Sequence, residues 1–207
     1  MPTVKSRTES TRVGRDGILN AAAMLFRQKG YAGVSLRLIA AEVGIKAASI
    51  YYHFASKDAV VVEILDAGIL AVHQEVQTSL LKLPQNASPS DILRTGIRGH
   101  LRALLEHGDY TSANVRIFGQ APEAVRVASL PVRQEYEKLW DDILENLQAK
   151  NSLRADLNIT TFRMMLIGAL NATLEWFDPQ KGGIDELADK YTDVFLTGIL
   201  VTNGDDK

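Results

Sequence analysis

Apolar side chains recur along this chain at intervals of three and four, and no stretch alternates apolar with polar positions over a strand's length. The pattern predicts an all-α protein. Ile18, Ala22, Leu25 and Phe26 mark a helix over 11–29 that closes at Gly30. Leu36, Ile39, Ala40 and Val43 mark a second helix, with Ser35 as a suitable N-cap and Gly44 as the residue that ends it in left-handed backbone. A third follows at once, with Ala47, Ile50, Tyr51 and Phe54 on one face. Ser56 then caps a long helix over 56–83, which has Asp58 in its first turn. Its stripe runs through Val60 or Val61, Ile64, Leu65, Ala71, Val72, Val76 and Leu80, and it is the natural lever between the two ends of the molecule. Residues 84–89 form a loop, and a helix over 90–106 turns Ile92, Leu93, Ile97, Leu101, Leu104 and Leu105 inward. Residues 110–120 are short and mixed, 119–122 break the chain again, and 123–150 is helical with an interruption expected at Pro131. Two more helices, 158–177 and one after the 178–183 turn, are the most apolar of all.

The pair of short helices over 35–54 faces outward with Lys46, Ser49, Tyr52 and His53, and that face carries no acid. An ordinary helical hairpin shares this periodicity, but so does a helix-turn-helix, whose second helix enters the major groove. The residues Ser35, Ile39-Ala40, Gly44-Ile45, Ser49, the run IYYHF over 50–54 and Ser56-Lys57-Asp58 resemble, without a gap, the signature of the TetR family of bacterial transcriptional regulators. That resemblance implies an amino-terminal arm and DNA-binding head over 1–54, and an effector-binding and dimerisation domain over 55–207. It implies contacts to double-stranded operator DNA from Ser35, Arg37, Lys46, Ser49, Tyr52, His53 and Lys57. Tyr51, at the flank, either touches a base methyl group or packs inward. Lys46 stands where the family commonly has Ser, and Ala48 where it often has Gly, so the base preference of other members does not carry over.

Charge sharpens this picture. The net charge is −2, yet residues 1–57 hold nine Lys and Arg against three acids, leaving the remainder at −8. A basic head attracts phosphate while an acidic body is repelled by it, which orients the molecule on DNA. Lys5 and Arg7 in the polar stretch over 1–10 form an arm that reaches DNA or stays solvated. With no cysteine there are no disulfides or thiolate metal sites, and with no signal segment and no apolar run of 18 residues the expected location is cytoplasmic, away from membranes. The histidines are His53, His73, His100 and His107, and none has a helical partner at ligand spacing. No metal, cofactor or catalytic function is expected.

The last two helices carry more apolar surface than a domain of this size hides alone. A four-helix bundle between two copies would cover it, through Phe162, Met165, Leu166, Ala169 and Thr173 on one helix and Tyr191, Val194, Phe195 and Gly198 on the other. Such a homodimer sets two recognition helices about 34 Å apart, one turn of DNA. A ligand pocket is suggested by polar groups inside apolar runs, since burying one without a partner costs on the order of several kcal/mol. Arg116 beside Phe118, Arg126 and Arg133 around Pro131, Tyr136, Trp140 and Asn171 are the candidates. Arg126 and Arg133 are equally readable as exposed, and Asn171 as a hydrogen bond across a dimer. The run Leu170-Asn171, Trp176-Phe177, Pro179 and Gly182-Gly183 resembles a TetR subgroup controlling fatty-acid, aromatic-acid or steroid breakdown. A repressor released by an acyl-CoA or related lipophilic acid is the function implied, with Phe118, Tyr136 and Trp140 lining an apolar channel and the arginines meeting phosphates. The alternatives are a regulator answering to lipophilic cations through Glu135, Glu137 and Asp141, and a DNA-binding protein without an effector.

Overall fold

The computed structural model describes residues 14–106 and 108–199, so the arm with Lys5 and Arg7, and His107, lie outside the described residues. These form helices α1 (Arg15–Lys29), α2 (Leu36–Glu42), α3 (Ala47–Ile50), α4 (Lys57–Leu80), α5 (Pro89–Leu105), α6 (Asp109–Ile117), α7 (Glu123–Ala149), α8 (Ile159–Trp176) and α9 (Ile184–Ile199), with a single 3-10 turn (Phe118–Gln120) before α7. Local chemistry sets the starts. The side chains of Ser35, Ser56, Ser88 and Asn158 each accept a hydrogen bond from a first-turn N–H that the helix itself leaves without a partner. Ser88 and Asp91 complete a reciprocal capping box with Pro89 as the first helical residue. Gly44, at φ 71°, turns the chain from α2 towards α3.

The structure corrects several boundaries. The regular part of α3 is four residues long, and 51–53 continue as hydrogen-bonded turn. The long helix ends at Leu80, short of residue 83. No break occurs at Pro131, which sits inside a continuous α7. Proline removes the N–H that would have met the carbonyl of Val127, but both residues are exposed, where the loss of that hydrogen bond costs least.

Two apolar cores form, and the first does not stop at the end of the head. Ile18, Phe26, Ile39, Ile50, Phe54, Val61 and Leu65 share it with Ala113 and Ile117 of α6, with Ala121 after the 3-10 turn and with Val125 in the first turn of α7. The second gathers Ile69, Val72 and Val76 of α4 with Leu93, Ile97 and Leu101 of α5, Trp140 and Leu144 of α7, Leu166 and Leu170 of α8 and Leu196 of α9. Helix α4 therefore changes core between Leu65 and Ile69. At that point it crosses α6 so closely that a Cβ on Gly68 would stand 2.6 Å from the Tyr110 carbonyl oxygen and 2.8 Å from Asn114 Cβ.

Charge fixes the outer helices. Arg163 of α8 lies almost buried between Glu137 at 3.0 Å and Asp141 at 2.7 Å on α7. Arg94, Arg98 and Arg102 of α5 meet Asp185 and Asp189 of α9 as an antiparallel ladder, with contacts of 2.9, 3.1 and 2.9 Å. The Arg94 and Arg98 Nε atoms are out of line for hydrogen bonds, so these two contacts act through charge. Phe162, Leu166 and Thr173, expected at a dimer interface, lie instead inside the chain's own core. Their stripe faces α5 and α7, because those helices bring the apolar surface that covers it. The uncovered face of α8 and α9 carries Met164, Met165 at 61 % exposure, Gly168, Ala172, Trp176, Val194 at 73 % and Gly198. Ala169, Tyr191 and Phe195 lie half-buried at its edge, and Tyr191 donates to the Ala169 carbonyl at 3.0 Å.

Replacing a mid-helix Gly with Ala ordinarily stabilises a helix by about 1 kcal/mol. At Gly68 the added methyl meets backbone, so Gly68→Ala is expected to lower stability by about 1–3 kcal/mol in urea melts. A stabilised variant would show that α4 and α6 separate freely.

Candidate nucleic-acid interface and effector cavity

The head presents its polar residues on one side. Ser35, Arg37, Lys46 and Ser49 are exposed, as are Tyr51 at 60 % and Tyr52 at 89 %, while His53 is half-buried and meets the edge of the Tyr52 ring at 5.4 Å between centroids. Tyr51 thus points out, away from Ile50 and Phe54, which are buried in the first core. Ser35 divides its role, because its Oγ already accepts the Leu38 N–H at 3.2 Å.

Lys57 is the exception. Its ammonium turns inward, donating to the Tyr31 carbonyl at 2.5 Å and lying 3.7 Å from the centre of the Tyr31 ring. Partial burial holds its pKa below the usual value, against the pull of Asp58. Tyr31 is held at every polar group: its hydroxyl donates to Asp58 at 2.9 Å, and its N–H donates to Gln120 Oε1 at 2.9 Å. Two more bonds tie α1 to α6, Arg27 to Asp109 at 2.7 Å and the Tyr110 hydroxyl to Asn20 at 2.8 Å. The head is fastened to α6 and α4 through these bonds.

Below the Gly68 crossing lies a cavity of about 30 Å³ lined by residues of α4, α5, α6, α7 and α8. Asn114, Arg133, Tyr136, His100 and Asn171 supply its polar wall. Asn114 donates to the Leu65 carbonyl at 2.6 Å and accepts from Arg133 Nη2 at 3.1 Å, while the Arg133 guanidinium lies 3.8 Å from the centre of the Phe118 ring. Desolvation lowers the Arg133 pKa, with Glu137 opposing it. Trp140 is fully buried against Gly96 and does not line the cavity. It acts through Tyr136, to whose hydroxyl its Nε1–H donates at 2.8 Å. That hydroxyl is 2.6 Å from His100 Nδ1, and His100 Nε2 is 3.1 Å from Asn171 Oδ1. Burial raises the Tyr136 pKa and lowers that of His100 to about 4, so both are neutral near pH 7. Arg116 is exposed and belongs to a neighbouring cleft of about 540 Å³ between α1, α6 and the end of α8, with Arg27, Gln120 and Glu175. Arg126 donates to the Ala121 carbonyl at 3.3 Å at the start of α7 and lines neither space. His100 was legible only as a metal candidate, although it falls on the same stripe as Ile97 and Leu104, three and four residues away. Among the described residues no three His, Cys, Asp or Glu side chains are grouped to hold a metal, and no helix is long and apolar enough to cross a membrane.

A tight two-helix reading head over a helical body with an internal polar cavity defines a DNA-binding regulator of the helix-turn-helix class. Residues 18–64 match the model of the bacterial regulatory proteins of the tetR family, and residues 86–199 match that of the tetracyclin repressor-like C-terminal domain. The chain belongs to the TetR family of transcriptional regulators. It is 29 % identical over 204 residues to the HTH-type transcriptional repressor KstR2 of Mycolicibacterium smegmatis, covering 92 % of this chain and 93 % of the relative. The structure of the ketosteroid transcriptional regulator KstR2 of Mycobacterium tuberculosis is similar at a TM-score of 0.70 and 25 % identity, over 97 % of this chain and all of that one. The TetR family regulator PfmR of Thermus thermophilus gives 0.75 and 25 %, over 92 % and 98 %.

Two expectations follow from this geometry. Tyr52→Ala should weaken duplex binding about tenfold at unchanged melting temperature, whereas Lys57→Ala should lower the melting temperature, because Tyr31 loses the cation on its carbonyl and ring. Fluorescence anisotropy and thermal melts read both, and an unaltered melting temperature for Lys57→Ala would refute the inward role. His100 gives a pH signature. The unfolded imidazole titrates near 6.5 and the folded one at about 4, so the unfolded chain binds a proton that the folded one refuses in that window. His100's contribution is complete above pH 6.5 and is lost as the pH falls towards 4, by up to about 3 kcal/mol. Urea melts across that range should show a shallower pH slope for His100→Gln; an identical slope would assign the effect elsewhere.

Proposed function

We propose that this chain represses transcription as a homodimer on a two-fold operator and is released when a small, mostly apolar effector enters the body. The observation that carries the reading is the rigid union of the two ends: the exposed, acid-free face of 46–53 stands on a core completed by α6, the same helix that walls the cavity. An effector that displaces α6 against α4 at Gly68 must therefore move the head. The charge division, basic to residue 57 and acidic beyond, orients that head towards phosphate. A cytoplasmic site of action follows from this role. Similarity to KstR2, a transcriptional repressor and ketosteroid regulator, supports a lipophilic effector, and a lipophilic acid or its coenzyme A thioester is the form we propose. The cationic alternative is weakened by Arg163, which already pairs with Glu137 and Asp141.

The second copy covers the face of Met164, Met165, Ala172 and Val194, whose apolar side chains are otherwise left in water. Selection from random duplexes should recover a palindromic site with half-sites about 10 base pairs apart or a multiple of that. The double variant Met165→Asp, Val194→Asp should stay folded, sediment as a monomer and lose operator affinity by about 100-fold, since both side chains are exposed within one chain. Recovery of asymmetric sites only, or full affinity in the monomer, would refute the proposed mode.

A further inference from the structure

The hydrogen-bond chain that ends at Asn171 has a direction, and the direction decides what the cavity can recognise. An indole N–H only donates, so the Tyr136 oxygen receives the Trp140 hydrogen at 2.8 Å. The Tyr136 hydrogen is then left for His100 Nδ1 at 2.6 Å. With Nδ1 accepting, the neutral imidazole carries its hydrogen on Nε2 and gives it to Asn171 Oδ1 at 3.1 Å. The opposite order would strand the Tyr136 hydrogen in a buried site, where an unmet donor is costly. One lone pair of the Asn171 carboxamide oxygen is thereby taken. Asn171 still offers both Nδ2 hydrogens beside one neutral acceptor position.

The rest of the wall has the same sign. Asn114 is committed at both ends, to the Leu65 carbonyl and to Arg133. Arg133 Nε is buried and has no hydrogen-bond partner among the described residues. The carboxylate on this wall, Glu137, is paired with Arg163 at 3.0 Å. The Thr111 hydroxyl spends its hydrogen on the Ala103 or Gly108 carbonyl, at 3.0 Å each, leaving only the hydroxyl oxygen as a neutral acceptor. Glu137 keeps a second oxygen, but Arg163 and Arg133 offset its charge, and the buried polar atom on this wall left without a partner is a donor, Arg133 Nε.

We propose that this cavity is an acceptor-recognition site, which takes the carbonyl or carboxylate oxygen at one end of an otherwise apolar effector and rejects an ammonium end. The proposal rests on the effector reading above and adds to it the chemistry of the buried end. Gly68, Ile69, Val72, Leu104 and Ile167 supply apolar wall beside the donors. Val115 lines both this cavity and the 540 Å³ cleft, and the proposal takes the body of a longer ligand past that side chain towards Arg116 and Arg27. An incoming oxygen satisfies a donor that is otherwise orphaned, whereas a cation adds charge beside Arg133.

Octanoate, octan-2-one and octylammonium share an apolar body and differ at one end, so thermal shift and calorimetry with the full chain isolate that end. Octanoate and octan-2-one should bind the wild type at least about tenfold more tightly than octylammonium. Asn171→Asp keeps the acceptor for His100 but replaces the free donor with an acceptor; it should lose octan-2-one about tenfold and bind octylammonium more tightly. Arg133→Met should lose octanoate more than octan-2-one. Equal or tighter binding of octylammonium to the wild type would overturn the acceptor site while leaving an effector pocket in place. Unchanged binding of all three probes in both variants would locate them elsewhere and likewise overturn it. Failure of every probe to bind, together with operator binding indifferent to apolar acids, would overturn the site and the effector reading together.

Discussion

The near-contact of α4 and α6 at Gly68 is the constraint on which the arrangement depends. Without a side chain there, the two backbones come close enough for Asn114 to bond the Leu65 carbonyl and for Ala113 and Ile117 to enter the core beneath the head. Any larger residue would force the helices apart, opening the first core on one side and the cavity on the other. The same crossing divides α4 into a part that belongs to the head and a part that belongs to the body. A change in the body reaches the head because packed helices shift as units and do not deform continuously.

This alters what a domain boundary means here. A division near residue 54 describes the order of the helices, but the core beneath the DNA-binding surface draws on residues as distant as Val125. The bonds around Tyr31 belong to the same joint, since Lys57, Asp58 and Gln120 converge on one connector residue from three directions. Exposed ion pairs such as Arg27 with Asp109 contribute modestly each, about 1 kcal/mol or less, and their value is in fixing orientation. Lys57 shows the trade-off: a cation used to hold the connector is withdrawn from the phosphate-facing surface.

The buried polar chain from Trp140 to Asn171 has a similar double character. It satisfies four side chains that would be costly alone, and it fixes the tautomer and the amide orientation that the cavity presents. Polar residues in apolar runs are thus of two kinds here. Tyr136, Trp140 and His100 meet one another, while Arg133 and Asn171 keep donors unspent.

The sequence by itself determined most of the helices, the caps at Ser35 and Ser56 and the reading head, because these are local; it left α6 as a mixed stretch and placed the Ser88 cap of α5 in a loop. Ser35, Ser56 and Gly44 act within a turn of where they stand, and a stripe of period 3.6 names its buried face whatever covers it. The long-range pairings were decided only by tertiary structure. His100 meets residues 36 and 71 positions away, and nothing in its neighbourhood names Tyr136 or Asn171 as partners. Phe162, Leu166 and Thr173 belong to the most apolar helix, and their stripe shows that they are buried but not whether this chain or a second copy buries them. Pro131 was misleading for a related reason: proline's cost in a helix depends on whether the orphaned carbonyl faces water, and that orientation is a property of packing. Periodicity fixes which face of a helix is hidden; only the assembled helices choose what hides it.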